Sequence, residues 1–84
     1  MSAASLAALV SRLVSERGLP LYVVSLKADL DPTTLDKAFA RGTKLRPESL
    51  KGVARVLRRP FLELLFEQED VTADDLDTFL RQGR

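Results

Sequence analysis

Eighty-four residues, 45% hydrophobic and 30% charged, describe one folded domain with a modest core and exclude a disordered chain. With no cysteine there is no disulfide framework or thiolate metal site, and with no histidine the usual general base, pH switch and zinc ligand are missing. The net charge of +1 hides a segregation: residues 1–36 sum to −1, residues 37–59 to +7 with Glu48 as the lone acid, and residues 60–84 to −5.

A first helix is expected over residues 5–17, where Leu6, Leu9, Val10, Leu13 and Val14 repeat as one apolar stripe. Ser2 or Ser5 is placed to cap it and Gly18 to end it. Pro20 opens a second helix, since Leu19-Pro20 cannot lie inside one. Val24, Leu26 and Ala28 supply the apolar side of that helix, and Asp29-Leu30-Asp31 breaks the pattern. Asp31-Pro32 restarts it, because an Asp carboxylate caps free backbone N–H groups and Pro suits the first helical position. The third helix, about Pro32 to Arg41, turns Leu35, Ala38 and Phe39 inward. Its other face offers Thr33, Thr34, Asp36, Lys37 and Arg41, and Gly42 fits a left-handed C-terminal position.

After a short loop, Pro47-Glu48-Ser49 starts a fourth helix with the stripe Leu50, Val53, Ala54 and Leu57. Gly52 lies near that stripe and permits close approach of another helix, although Gly costs about 1 kcal/mol there relative to Ala. Pro60 ends the fourth helix and begins a fifth, with Phe61, Leu64 and Leu65 inward and Leu62 and Phe66 forming a second apolar edge. Thr72-Ala73-Asp74-Asp75 reads as a capping box, with Asp in place of the usual Glu, that opens a last short helix. Leu76, Phe79 and Leu80 are its apolar face. All the periodicity is helical. The expected architecture is all-α: a compact bundle of five helices with a central helix-turn-helix, plus a short C-terminal sixth helix. It forms a single domain over residues 1–84, with 69–84 as an acidic extension.

Helix, short turn, helix is the geometry by which one helix braces another in the DNA major groove. The +7 block directly behind it is the electrostatic footprint of a nucleic-acid contact, where the plainer reading of such a block alone is a solvated polar surface. Near the start of the third helix, Thr33, Thr34 and Lys37 are the candidates for base edges. Arg41, Lys44, Arg46 and Lys51 are candidates for phosphates, and Tyr22 for a hydroxyl contact to another, its alternative being a partly buried ring with the hydroxyl in water. Arg55, Arg58 and Arg59 are expected to meet acids of the C-terminal segment instead.

The chain resembles the lambda-repressor-like, Cro/xenobiotic-response-element type of helix-turn-helix family from about Leu6 to Leu65. The carriers are Glu16-Arg17-Gly18-Leu19, then Leu30-Asp31-Pro32-Thr33-Thr34-Leu35, Arg41-Gly42, and Arg46-Pro47-Glu48-Ser49-Leu50 with Val53-Ala54 and Leu57. It departs from the pattern at Pro20-Leu21, where the family has a polar Ser-Gln, at Asp29 in place of Gly, and by one extra residue between Leu35 and Gly42. The resemblance implies a sequence-specific transcriptional regulator with double-stranded DNA as partner.

Self-association is the further expectation, a homodimer through Leu62, Phe66, Leu76, Phe79 and Leu80, with an intramolecular core as the alternative role of those side chains. The competing function is a helix-turn-helix-shaped protein-interaction module, antitoxin-like or an adaptor, that binds a partner protein; Asp36 and the missing Gln favour it. An enzyme is not expected, because no ordinary activated nucleophile or metal centre can be built, and neither cofactor nor metal is called for. No apolar run approaches the ~20 residues of a membrane span and no signal peptide is recognisable, so a cytoplasmic protein is expected.

Overall fold

The computed structural model describes residues 2–82, with side chains from Ser5 onward. Six helices follow one another: α1 (Ser2–Arg17), α2 (Leu21–Lys27), α3 (Thr34–Arg41), α4 (Pro47–Leu57), α5 (Phe61–Glu69) and α6 (Ala73–Gln82). No strand occurs among the described residues. The first five enclose one core, in which α1 packs chiefly on α5, α5 also on α4, and α2 on both α3 and α4. Leu6, Val10, Leu35, Leu50, Val53, Leu57 and Leu64 are its fully buried centre.

Local chemistry explains most boundaries. α1 starts before residue 5 because the Ala-rich lead-in favours helix, so Ser5 lies inside the helix and cannot cap it. Ser2 as a cap falls on a side chain outside the described residues. Gly18, at φ 64, ends α1 in the left-handed region, and Leu19 N–H closes the turn onto Val14 O at 3.0 Å. The Arg17 guanidinium reaches across to Leu57 O at 2.6 Å, tying the end of α1 to an unsatisfied carbonyl at the end of α4.

The inward face of α2 differs from expectation. Leu26 is 51% exposed, whereas Val24, Ser25 and Ala28 are buried. Two residues separate Leu26 from both Val24 and Ala28, which is about 200° round a helix, so the three cannot share a face. Small residues are what the position needs. A Cβ on Gly52 of α4 would lie 3.1 Å from both Ala28 Cβ and Ala28 O, so α2 and α4 cross almost backbone to backbone.

α3 begins two residues later than expected. Asp31 does hold a free N–H, but it is that of Thr33, at 2.9 Å, and the Thr33 hydroxyl donates to the same oxygen at 2.7 Å. This side-chain turn occupies Pro32 and leaves Thr33 as the residue before the helix. α4 stops at Leu57 rather than at Pro60. Arg58 takes a left-handed φ of 57°, and Arg59 N–H bonds Ala54 O at 3.0 Å, because the residue before Pro60 cannot stay helical.

α6 stands apart. Its start is a closed capping box: Thr72 N–H donates to Asp75 Oδ2 at 3.0 Å, and Asp75 N–H donates to Thr72 Oγ1 at 3.1 Å. Yet none of its residues is buried, and it has no extensive packing against the other helices. The molecule is correspondingly elongated, 42 × 24 × 22 Å.

Two outcomes follow. The Ser25 hydroxyl is buried with no hydrogen-bond partner, so Ser25→Ala is expected to raise unfolding stability by about 1 kcal/mol, read from urea or thermal denaturation. The Asp75 carboxyl is held below its ordinary 3.8, first by the Thr72 backbone N–H and then by the Thr72 hydroxyl. A depressed folded value means the cap is complete above the ordinary Asp range and is lost as pH falls through and below it. Helical circular dichroism contributed by α6 should therefore decline on acidification, and Asp75→Ala should remove that part of the signal already at neutral pH.

Candidate nucleic-acid interface

The positive block becomes a surface through three successive elements. α3 is short, and its outward stripe Thr34, Lys37, Arg41 follows i, i+3, i+7 spacing. Gly42, at φ 69 and ψ 25, turns the chain sharply, with Thr43 N–H donating to Ala38 O at 2.9 Å. In the loop that follows, Leu45 is drawn into the core. Its neighbours Lys44 and Arg46 are thereby left exposed on either side of it. Arg46 is extended, and α4 begins at Pro47 with no side chain capping its first N–H groups.

Together these elements line an open groove of about 330 Å³. Lys37, Arg41, Lys44 and Arg46 supply four cations, Thr34, Thr43 and Ser49 supply hydroxyls, and Ala38 and Leu45 form the apolar floor. Of the four cations only Lys44 has a salt bridge among the described residues, to Glu69 at 2.9 Å between two well-exposed side chains. A second concavity of about 460 Å³, lined from α1 and α5, balances one cation, Arg12, against one acid, Glu67, and has no such bias.

Thr34, Lys37, Arg41, Lys44 and Arg46 thus meet in one place. Thr33 stands just before α3, its hydroxyl and N–H both engaged by Asp31, whose carboxyl is held below its ordinary value mainly by those two bonds. Lys51 does not line the groove; its ammonium lies 5.3 Å from the centre of the Phe61 ring, a cation–π distance. Tyr22 is exposed on α2, also outside the groove. Asp36 is exposed in the first turn of α3, where a carboxylate suits the helix dipole.

The remaining arginines divide. Arg59 grips Glu63 through two bonds of 2.7 and 2.6 Å, which raises the guanidinium and lowers the carboxyl from their ordinary values. Arg55 and Arg58 have no salt bridge among the described residues. Leu62, Leu76, Phe79 and Leu80 are exposed, Phe79 most at 66%, while Phe66 is half-buried. The three on α6 therefore do not complete an intramolecular core.

Three groove-related residues escape a reading of the sequence by charge: Thr43, Ser49 and, behind the loop, Gln68. The last had a signal. Phe61, Leu64, Leu65 and Gln68 fall at i, i+3, i+4 and i+7, so Gln68 is a polar residue on the inward stripe of α5. No group of three or more acidic, His or Cys side chains among the described residues is placed to hold a metal ion. No described helix is long and apolar enough to cross a membrane. Comparison with protein-family models, with curated proteins and with solved structures finds no match to this chain.

Proposed function

We propose that this chain is a sequence-specific DNA-binding transcriptional regulator in which α2, the bend at Asp29 and α3 act as a helix-turn-helix of the lambda-repressor-like kind. The observation that carries the reading is the groove. Four cations converge on one concavity, with Glu69 bridging Lys44 and the Asp31 carboxylate acting on Lys37, and the remaining positive charge is self-repelling until an anion enters it. Phosphates of duplex DNA supply regularly spaced anions, and helix starts with free N–H groups favour them.

The dimensions also suit a duplex. α3 has eight residues, so it spans about 12 Å, comparable to the width of the major groove. On that helix Thr34 and Lys37 are the side chains assigned to base edges, with Thr33 beside them; the one donates or accepts a hydrogen bond or packs a thymine methyl, the other reaches guanine acceptors. Arg41, Lys44 and Arg46 are assigned to phosphates. Lys51 and Tyr22, outside the groove, are assigned to flanking backbone.

Self-association belongs to the same reading. An isolated helix of ten residues is marginal in water, and α6 carries Leu76, Phe79 and Leu80 on one face with nothing buried. A second copy covering that face, with Leu62 and Phe66 beside it, gives a two-fold pair. Two recognition helices would then meet successive major grooves about 34 Å apart.

A salt-titrated mobility shift on pooled duplexes tests the DNA reading. With roughly four to five phosphates neutralised per chain, log affinity should fall against log salt with a slope of about −4 per bound chain, and about twice that for a dimer. Arg41→Ala should reduce that slope by about one, and Lys37→Ala should relax sequence preference by about 1–3 kcal/mol at one base position. A folded sample that shifts no duplex at low salt removes the proposal. For the dimer, sedimentation of wild type and Phe79→Asp should give twice the chain mass and the single chain mass; monomers in both at tens of micromolar would dismiss it.

A further inference from the structure

Gln68 makes a contact that no charge-based account of the groove uses. It sits in the last turn of α5 and is 3% exposed. Its Oε1 accepts Leu45 N–H at 2.8 Å, and its Nε2 donates to Leu45 O at 3.0 Å. Both main-chain groups of one loop residue are thus held by one side chain, as a neighbouring strand would hold them. A carboxamide offers an adjacent donor and acceptor in one plane for this, whereas an ionised carboxylate lacks the donor and an aliphatic chain lacks both.

The Leu45 side chain anchors the loop in the core, but the loop's main chain has little else to fix it. Thr43 is tied to Ala38 at its start and Leu50 N–H bonds Arg46 O at its end, and neither bond reaches the Lys44–Leu45 main chain. Leu45 lies between the two loop cations, and the next residue on α5, Glu69, holds Lys44 at 2.9 Å. The last turn of α5 therefore grips the loop from behind while Lys44 and Arg46 face the groove.

We infer that Gln68 is a positioning residue for anion binding: by clipping Leu45 it fixes the spread of Lys44 and Arg46 relative to Lys37 and Arg41. The role rests on the proposed duplex reading for its ligand, while the clip itself can be observed without DNA. Removing the clip leaves every charge in place. With the loop unpinned, about one of the two loop cations no longer holds its phosphate and the other must be ordered on binding, which lowers affinity without changing net charge.

Gln68→Met keeps length and volume and removes both bonds. Two measurements are made on it and on the wild type: amide hydrogen exchange, and duplex affinity across a salt series. Val14→Ala, which trims a partly buried core contact on α1 outside the loop, serves as the control for a general loss of stability. The expected result is loss of Leu45 amide protection with the α1 and α4 amides still protected. Alongside it, duplex affinity should weaken roughly tenfold with a salt slope shallower by about one phosphate, neither of which Val14→Ala produces.

Leu45 staying protected in Gln68→Met overturns the clip. Affinity and slope equal to wild type, or matched by Val14→Ala, overturn the positioning role while the duplex reading stands. A folded wild type that shifts no duplex overturns both, and is recognised by its independence of the exchange result. Should Gln68→Met fail to fold, Gln68→Asn is measured in the same way; it keeps the charge and the carboxamide but is one methylene too short to reach both Leu45 groups, so Leu45 protection, affinity and salt slope should all fall below wild type, and values equal to wild type overturn the role.

Discussion

The close crossing of α2 and α4 at Ala28 and Gly52 is the contact on which the rest of the arrangement depends. Side chains normally hold helix axes 8–10 Å apart, with larger residues at the contact giving wider spacing. Here a methyl group meets a glycine, and a Cβ on Gly52 would be only 3.1 Å from Ala28 O. Because α2 also packs on α3, this crossing fixes α3 relative to the start of α4, and the loop between them must cover a short gap. A bulkier residue at either position would push the α2–α3 pair outward and widen the separation between Lys37 and Arg46. The helix-propensity cost of glycine at position 52, about 1 kcal/mol, is offset by what this approach allows to be buried behind it.

Around that crossing the core is sealed by contacts between helix ends. Arg17 caps the last carbonyl of α4, Arg58 turns the chain in a left-handed conformation, and Arg59 fastens to Glu63 at the start of α5. Three arginines that a charge tally would count alike thus do three different jobs. One satisfies a carbonyl, one makes a turn, and one joins consecutive helices.

Much of this was legible in the sequence because it rests on period and punctuation. The stripes of α1 and α4, the starts at Pro47 and Thr72, and the close approach at Gly52 follow from local rules that the tertiary structure does not override. The misreadings came where a local rule met a competitor. At Asp31 the carboxylate bonds the next-but-one residue instead of capping a helix begun at Pro32, so α3 is shortened from its start. In α2 hydrophobicity alone points to Leu26, while the packing against two helices requires the small Ser25 and Ala28. Gln68 was hidden for the opposite reason: it lies on a correct apolar stripe, and its partner is the main chain of a loop 23 residues earlier. The positive groove was legible as a block of charge but not as a shape, because the loop's conformation depends on that partner.

The shape also corrects the charge. A net +7 over residues 37–59 suggests a surface on which every cation acts together. Twelve residues of mostly helical chain separate Arg46 from Arg58, about 18 Å at the helical rise, and this exceeds the ~10 Å screening length at 0.1 M salt. Arg59 is neutralised by Glu63, and Lys51 faces the Phe61 ring. An anion in the groove is therefore met by Lys37, Arg41, Lys44 and Arg46, with Glu69 drawing on one of them. The acidic residues Asp74, Asp75 and Asp77 reside on α6, which has no extensive packing against α3 or α4 and so leaves that local charge largely uncancelled. Folding thus divides one basic block into a groove cluster of four cations and a remainder that joins helices, faces an aromatic ring or faces solvent. On the proposed duplex reading it is the cluster, and not the block, that would set how strongly salt opposes binding.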